Sequence, residues 1–377
     1  MATRTHSSLT YCWNGRCTSM TPESHRIRIV DNVIWYDIWK GVSTQRLRDD
    51  DVLEYLLDDL SNAGLGTDDI KNYSWIVNTG WEGHSAEDIE HFRILLLSYG
   101  LPETRFGAVF IAYEDVDKLP YPAICFTDRM IYLANWYTGL KKQNVDWQNI
   151  SMTAKFTVLM RRASTSRCHL AKQLLDKFNT RDMIMTLGTS PNSDPQRFKD
   201  PQRFKDIIKP YQYPIVVDLI ECHSPADLIH NHEIFYQAPV QLVIESSNEI
   251  DADTWNSIFI TEKSYKVLSW YQFPVWYSVP GLVGKLRDAG FDLFDDIIDH
   301  SYDLESDPWI RMSMVVQEIE KLCKQDTVAL RQQLWSRLES NAALVEQIHT
   351  NARCTHELSM NRLINEIHQL YKSTIST

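Results

Sequence analysis

The sequence predicts an α/β protein made of two domains with parallel sheets, and three observations predict it. Apolar runs of strand length alternate with segments of helical spacing along most of the chain. At least one strand–helix–strand unit has the spacing of a parallel crossover. At 377 residues the chain exceeds what one ordinary core organises, so two domains follow.

In order, residues 1–25 are polar and read as an irregular arm, and 26–150 read as a first α/β domain. Arg26-Ile-Arg-Ile-Val and Val33-Ile-Trp-Tyr are strand material interrupted by Asp31-Asn32. Asp49 to Leu60 follows helical spacing through Val52, Leu53, Leu56, Leu57 and Leu60, and Ala63-Gly64 stops it. Tyr73-Ser-Trp-Ile-Val-Asn reads as a buried strand, and Thr79 to His84 as the loop after it. A helix then runs from a cap at Ser85 to Tyr99, with Gly100 ending it and Phe106 to Ala112 as the next strand. Ala123-Ile-Cys-Phe adds a strand, and Ile131 to Leu140 a helix.

After a polar linker (141–152), residues 151–325 read as a second α/β domain. Its strands are Lys155 to Met160, Asp182 to Leu187, Ile215 to Ile220, Val240 to Glu245 and Pro274 to Tyr277. Its helices are Ser164 to Phe178, the segment opening at Thr261, and Leu282 to Ala289, closed by Gly290. The hexapeptide Asp194-Pro-Gln-Arg-Phe-Lys is repeated at once from Asp200, too short a copy for an architectural repeat, and reads as a loop duplication. From Pro308 the chain is helical almost to its end, with breaks near Asp326 and Asn351. Residues 326–377 are therefore terminal helices, of the kind that pack across domains or support an oligomer or assembly.

Composition excludes several classes. A formal charge of −12 argues against a general nucleic-acid binder. The basic residues Arg197, Lys199, Arg203, Lys205 and Lys209 around the duplication are all that a nucleic-acid-modifying transferase could draw on. With 44% apolar residues, 12 Trp and 17 Tyr, the chain can bury a substantial core. Seven scattered cysteines form no CxxC pair, which indicates neither a disulfide scaffold nor a zinc site, so no metal is expected. No apolar leader or run of about 18 apolar residues occurs, which points to a soluble cytoplasmic protein that is not secreted and has no membrane span.

Three clusters lie at strand C-termini, where open α/β sheets place ligands. They are Met160-Arg161-Arg162 with Arg167, Glu245-Ser246-Ser247, and Thr261-Glu262-Lys263 with Lys266. Arg suits a pyrophosphate by its bidentate fork and Lys by its point charge, at a helix start that already favours anions. The plainer reading has Thr261 capping the helix, Glu262 in its first turn, the lysines solvated and the arginines paired with surface carboxylates.

Phe259-Ile-Thr-Glu-Lys-Ser-Tyr-Lys resembles the "Y-[VI]-T-E-K-L-[WY]" signature of the α-1,3-fucosyltransferase family. Val243-Ile-Glu-Ser-Ser resembles its "E-N-S" stretch, with Ser246 where Asn is usual. Lys155 to Arg167 resembles the "L-N-R-R-x-R-x-H-R" stretch of the divergent members encoded by large viruses, phages and marine microbes, with Met160 in place of Asn. The run Gly290-Phe-Asp-Leu-Phe-Asp-Asp-Ile-Ile-Asp-His-Ser-Tyr-Asp also resembles one in that group, and the likeness covers residues 155–320.

The resemblance implies a GT-B-like pair of Rossmann-like domains and an inverting glycosyltransferase. The donor would be a nucleoside-diphosphate sugar, a GDP-sugar before a UDP-sugar, with a glycan or other hydroxyl as acceptor and no metal required. By that likeness Arg161, Arg162 or Arg167 and Lys263 hold the donor phosphates, and Glu245 and Glu262 hold ribose or sugar hydroxyls. Thr261 and Lys266 complete the candidate donor set. Glu82, on the loop after the strand Tyr73 to Asn78, is the candidate base for the acceptor hydroxyl, with His84 and Asp128 as alternatives. Glu82 as a solvated loop carboxylate stays open, as does a binding or structural protein that kept the fold without turnover.

Overall fold

The computed structural model describes residues 9–13, 16–20, 27–30, 32–37, 51–79, 86–110, 116–125, 146–160, 164–187, 237–245 and 258–375. It divides into two compact units, Met1–Thr127 with Ala352–Thr377, and Asp128–Asn351. Each is a Rossmann-like α/β unit on a largely parallel sheet, the fold class expected from the alternating pattern.

The first unit opens with β1 (Leu9–Trp13) and β2 (Arg16–Met20), paired antiparallel from Leu9 opposite Met20 to Trp13 opposite Arg16. The expectation of an irregular arm is corrected here. The two residues between these strands in the sequence are Asn14-Gly15, the dipeptide that favours a two-residue hairpin connection.

A five-stranded sheet follows in simple chain order: β3 (Ile27–Val30), β4 (Val33–Asp37), β5 (Ser74–Asn78), β6 (Phe106–Phe110) and β7 (Ala123–Cys125). β3 runs antiparallel to β4, and every later pair is parallel. α1 (Asp51–Asn62) joins β4 to β5 and α2 (Ala86–Ser98) joins β5 to β6. Strands laid down in sequence by right-handed crossovers put both helices on one face. Leu56 and Leu60 of α1 and Ile89, Phe92 and Leu96 of α2 accordingly pack with Ile34, Tyr36, Trp75, Val77, Phe106 and Phe110. Gly64 and Gly100, at φ +72° and +88°, end the two helices in the left-handed conformation that suits glycine.

Such winding leaves the opposite face uncovered by either crossover, yet its residues Val33, Trp35, Ile76 and Val109 are buried. Leu363, Ile364 and Ile367 of the last helix cover them, a stripe at helical spacing. Approach is closest at Gly107, where an added Cβ would lie 2.6 Å from the Ile367 Cδ1 and 3.1 Å from the Pro122 carbonyl oxygen.

The second unit carries a four-stranded parallel sheet of β8 (Phe156–Met160), β9 (Met183–Leu187), β10 (Val240–Ile244) and β11 (Phe273–Tyr277). Their spatial order is β11-β10-β8-β9, so the chain winds one way from β8 to β9 and the other way from β10 to β11. That is a doubly wound sheet whose direction reverses between β8 and β10.

α3 (Thr165–Lys177) follows β8, with the Ser164 Oγ accepting from the Arg167 N–H, and packs on β9. α4 (Glu262–Ser269) packs on β10 and β11. α5 (Leu282–Asp288) follows β11. α6 (Pro308–Cys323) starts at Asp307, whose carboxylate accepts from the N–H groups of Trp309 and Ile310, and packs on α3 and β11. Burial pushes the Cys323 thiol up to about 12, which removes it as a nucleophile.

α7 (Thr327–Gln333) begins just after the expected break at Asp326. α8 (Trp335–Ile375) then runs without interruption through Asn351, where the sequence suggests a second break. The physical reason is simple: no Gly or Pro occurs between Trp335 and Ile375, and one Asn costs a helix only about 0.7 kcal/mol. Among the described residues no helix is long and apolar enough to cross a membrane.

Candidate functional site

β10 is buried along its whole length, and the next residue, Glu245, is a carboxylate with 0% exposure. A charge buried at that depth persists only if strong donors surround it. Glu245 Oε1 accepts from the Thr261 N–H at 3.0 Å and from the Ser264 hydroxyl, and Oε2 accepts from the Thr261 hydroxyl. Lys263 Nζ lies 3.7 Å from Oε2. All these donors belong to the first turn of α4, so the carboxylate also faces the positive end of a helix.

The donors are themselves supported. Thr261 caps α4, its Oγ1 accepting from the Lys263 N–H at 3.3 Å and from Lys263 Nζ at 3.0 Å. Ser264 Oγ accepts from the Trp276 Nε1–H at 3.0 Å while donating to Glu245. Each hydroxyl thus donates once to the carboxylate and accepts from a nitrogen, which fixes every hydrogen in the cluster.

Trp276 has a second tie. Its backbone N–H, on the edge strand β11, donates to Tyr302 Oη at 3.2 Å. Tyr302 Oη lies 2.7 Å from His300 Nδ1, and His300 Nε2 is 2.9 Å from the Leu293 carbonyl oxygen. A carbonyl only accepts, so Nε2 carries the proton and Nδ1 accepts from Tyr302. Burial holds the His300 imidazole below its ordinary value, and therefore neutral. The acidic–aromatic run 290–303, singled out in the sequence, is thereby tied to β11 through Tyr302, and Phe294 packs edge-on against Phe273 of the same strand.

Of the candidate donor residues, Glu245, Thr261 and Lys263 come together in one cluster. Glu262 flanks them, partly exposed, with its Oε1 3.9 Å from Lys263 Nζ. The capping role of Thr261 is present as the plainer reading has it, but Lys266 is buried rather than solvated, with 8% exposure. Arg167 belongs to the first turn of α3, after β8. Arg161, Arg162, Ser246 and the duplicated hexapeptide lie outside the described residues, as do Glu82, His84 and Asp128. So do the expected strand 215–220 and helix 131–140. In the sequence Glu82 follows β5, the middle strand of its sheet, and the fully buried Thr79.

Sequence reasoning missed Ser264 and Trp276. The signal for Ser264 was present, since Thr261 and Ser264 are three residues apart and so share one face of the first helical turn. Nothing in the sequence pairs an indole in β11 with that serine. Among the described residues no group of three His, Cys, Asp or Glu side chains could hold a metal ion.

What this arrangement can do is hold the first turn of α4 rigid at the C-terminal edge of the sheet, with a lysine and a carboxylate partly open to solvent beside it. Comparison of the chain with protein-family models, with curated proteins and with solved structures finds no match.

Proposed function

We propose that the protein is an inverting glycosyltransferase that takes its sugar from a nucleoside-diphosphate donor bound by the second unit. One observation carries the reading: the sheet reverses its winding between β8 and β10, the place where doubly wound sheets bind nucleotides. In the sequence Arg161, Arg162 and Arg167 follow β8, and Glu245 and the Thr261–Lys263 turn follow β10. Cationic side chains suit a pyrophosphate.

In this reading Lys263 and the arginines carry the negative charge that builds on the departing nucleoside diphosphate. Glu262 binds donor hydroxyls. Glu245, with its oxygens already engaged by Thr261 and Ser264, keeps the turn and Lys263 in place. Glu82 takes the proton from the acceptor hydroxyl as that oxygen attacks the anomeric carbon opposite the leaving group. The sequence resemblance favours GDP-sugars, with UDP-sugars as the second probe.

The test is thermal stabilisation by a panel of nucleoside diphosphates and nucleotide sugars, on the wild type and on Glu262→Ala and Lys263→Ala. A ligand at about 100 times its dissociation constant adds roughly 2.7 kcal/mol. The expected result is a shift with one nucleotide base that both substitutions abolish, followed by sugar-acceptor-dependent release of the diphosphate. A folded wild type that responds to none of them would refute the proposal.

A further inference from the structure

α3 and α6 run side by side in the same direction. Near their ends Lys177 is ion-paired with Glu320, and near their starts the rings of His169 and Trp309 meet edge to face, 4.8 Å apart at 79°. The start of α6 is also tied to the last residue of β11, because Tyr277 Oη donates to the Pro308 carbonyl oxygen at 3.3 Å. α3 follows β8 and packs on β9. β10 and β8 lie between β11 and β9 in the sheet. A side chain that touches the start of α3 from beside the end of β11 therefore stands at the C-terminal edge of the sheet, over the interval where the winding reverses. Trp309 is that side chain. It is 41% exposed and its neighbour Ile310 52%, whereas Met312, Val315 and Val316 of the same helix are buried.

We infer that the base of the nucleotide donor stacks on Trp309, an inference that rests on the nucleotide-binding reading given above. The chemistry at the start of α6 selects which part of a nucleotide fits there. The Asp307 carboxylate already accepts from the N–H groups of Trp309 and Ile310, so this helix start carries a negative charge and repels a phosphate. A flat, uncharged ring suits it: the indole supplies a π surface, Ile310 extends the apolar area, and the His169 ring steadies the indole from the side of α3. The diphosphate is left to the cations that the same reading assigns to it. Every base has a π face, so Trp309 adds affinity for nucleotides as a class and does not by itself choose among bases.

The test is titration calorimetry of the full chain with GDP, ADP, UDP and inorganic pyrophosphate, on the wild type, Trp309→Ala and Trp309→Phe, with Trp fluorescence followed in parallel. The expected result is that Trp309→Ala weakens the nucleotide that binds best by about tenfold or more, while pyrophosphate binds as to the wild type. Trp309→Phe, which keeps a ring, restores most of the nucleotide affinity. Nucleotide also quenches part of the wild-type fluorescence, and that part is missing from Trp309→Phe although the variant still binds. This second readout holds even if Trp309→Ala fails to fold. Nucleotide binding and quenching that are indifferent to both substitutions overturn the inference and leave the transferase reading standing. A loss in Trp309→Ala that is as large for pyrophosphate as for the nucleotide also overturns it, since the indole would then be supporting the fold. A folded wild type that binds no nucleotide refutes the transferase reading, and the inference with it.

Discussion

Replacing Glu245 by alanine strips the first turn of α4 of its acceptor. Three donors lose it: the Thr261 N–H, the Thr261 hydroxyl and the Ser264 hydroxyl. The hydroxyls can turn elsewhere, but the Thr261 N–H is fixed and buried, and an orphaned donor of that kind costs about 1–3 kcal/mol. Hydrogen bonds to a charged acceptor contribute about 1.5–3 kcal/mol each, and removing one partner from a buried charged group costs about 3–5 kcal/mol. We expect about 4 kcal/mol for Glu245→Ala. For a unit of this size that lowers the melting temperature by roughly 10 °C, in the transition that belongs to the second unit. Glu245→Gln keeps one acceptor oxygen but presents an amide N–H to hydroxyls that already donate, so it should fall in between. Calorimetry and urea unfolding followed by Trp fluorescence report the change, since Trp276 is hydrogen-bonded into the cluster. A loss below about 1 kcal/mol for Glu245→Ala would show that the carboxylate is not the anchor of this turn.

Two further outcomes test other parts of the fold. His300 is held neutral by burial, so the unfolded chain binds more protons than the folded one below the ordinary histidine value of about 6.5, and stability falls with pH from there down to the depressed folded value. Burial raises the Asp303 carboxyl, which acts with the opposite sign because the folded chain then binds more protons. Comparison with His300→Gln therefore isolates the imidazole, and an unchanged slope between pH 7 and 6 would rule out its role. Gly107→Ala should cost about 1–3 kcal/mol, because its methyl meets the Ile367 Cδ1 and the Pro122 carbonyl. Ile367→Val removes that Cδ1, so a double-mutant cycle should return at least about 1 kcal/mol of coupling between the two sites. Additivity would mean that α8 does not press on β6.

The sequence made the core elements legible because each depends on local pattern. The β5 run Ser74 to Asn78 is apolar and bounded, α2 ends at a glycine, and α3 starts at a serine cap. The candidate site was legible only as far as neighbours along the chain reach. Thr261 as a cap follows from its place before Glu262 and Lys263. That Glu245, sixteen residues earlier, closes the same turn depends on how β10 registers beside β11, which no local pattern states. The burial of Lys266 was illegible for the same reason, since it is packing that decides which side of α4 faces β10 and β11. Asn351 misled because asparagine commonly marks a helix end, and here long-range packing of the residues beyond it keeps the helix going.

The stripe Leu363, Ile364 and Ile367 has a consequence for how the protein is made. The ribosome completes β3 to β7 first, and α1 and α2 can close one side of that sheet at once. The other side, with Val33, Trp35, Ile76 and Val109, is covered among the described residues by the end of α8, which emerges only after the entire second unit has been translated. At about 5–20 residues per second that is a wait of tens of seconds for the α8 stripe. A nascent-chain chaperone has its longest opportunity there, and a chain cut short before Leu363 would lack the cover that α8 gives this face however intact its own strands and crossovers are.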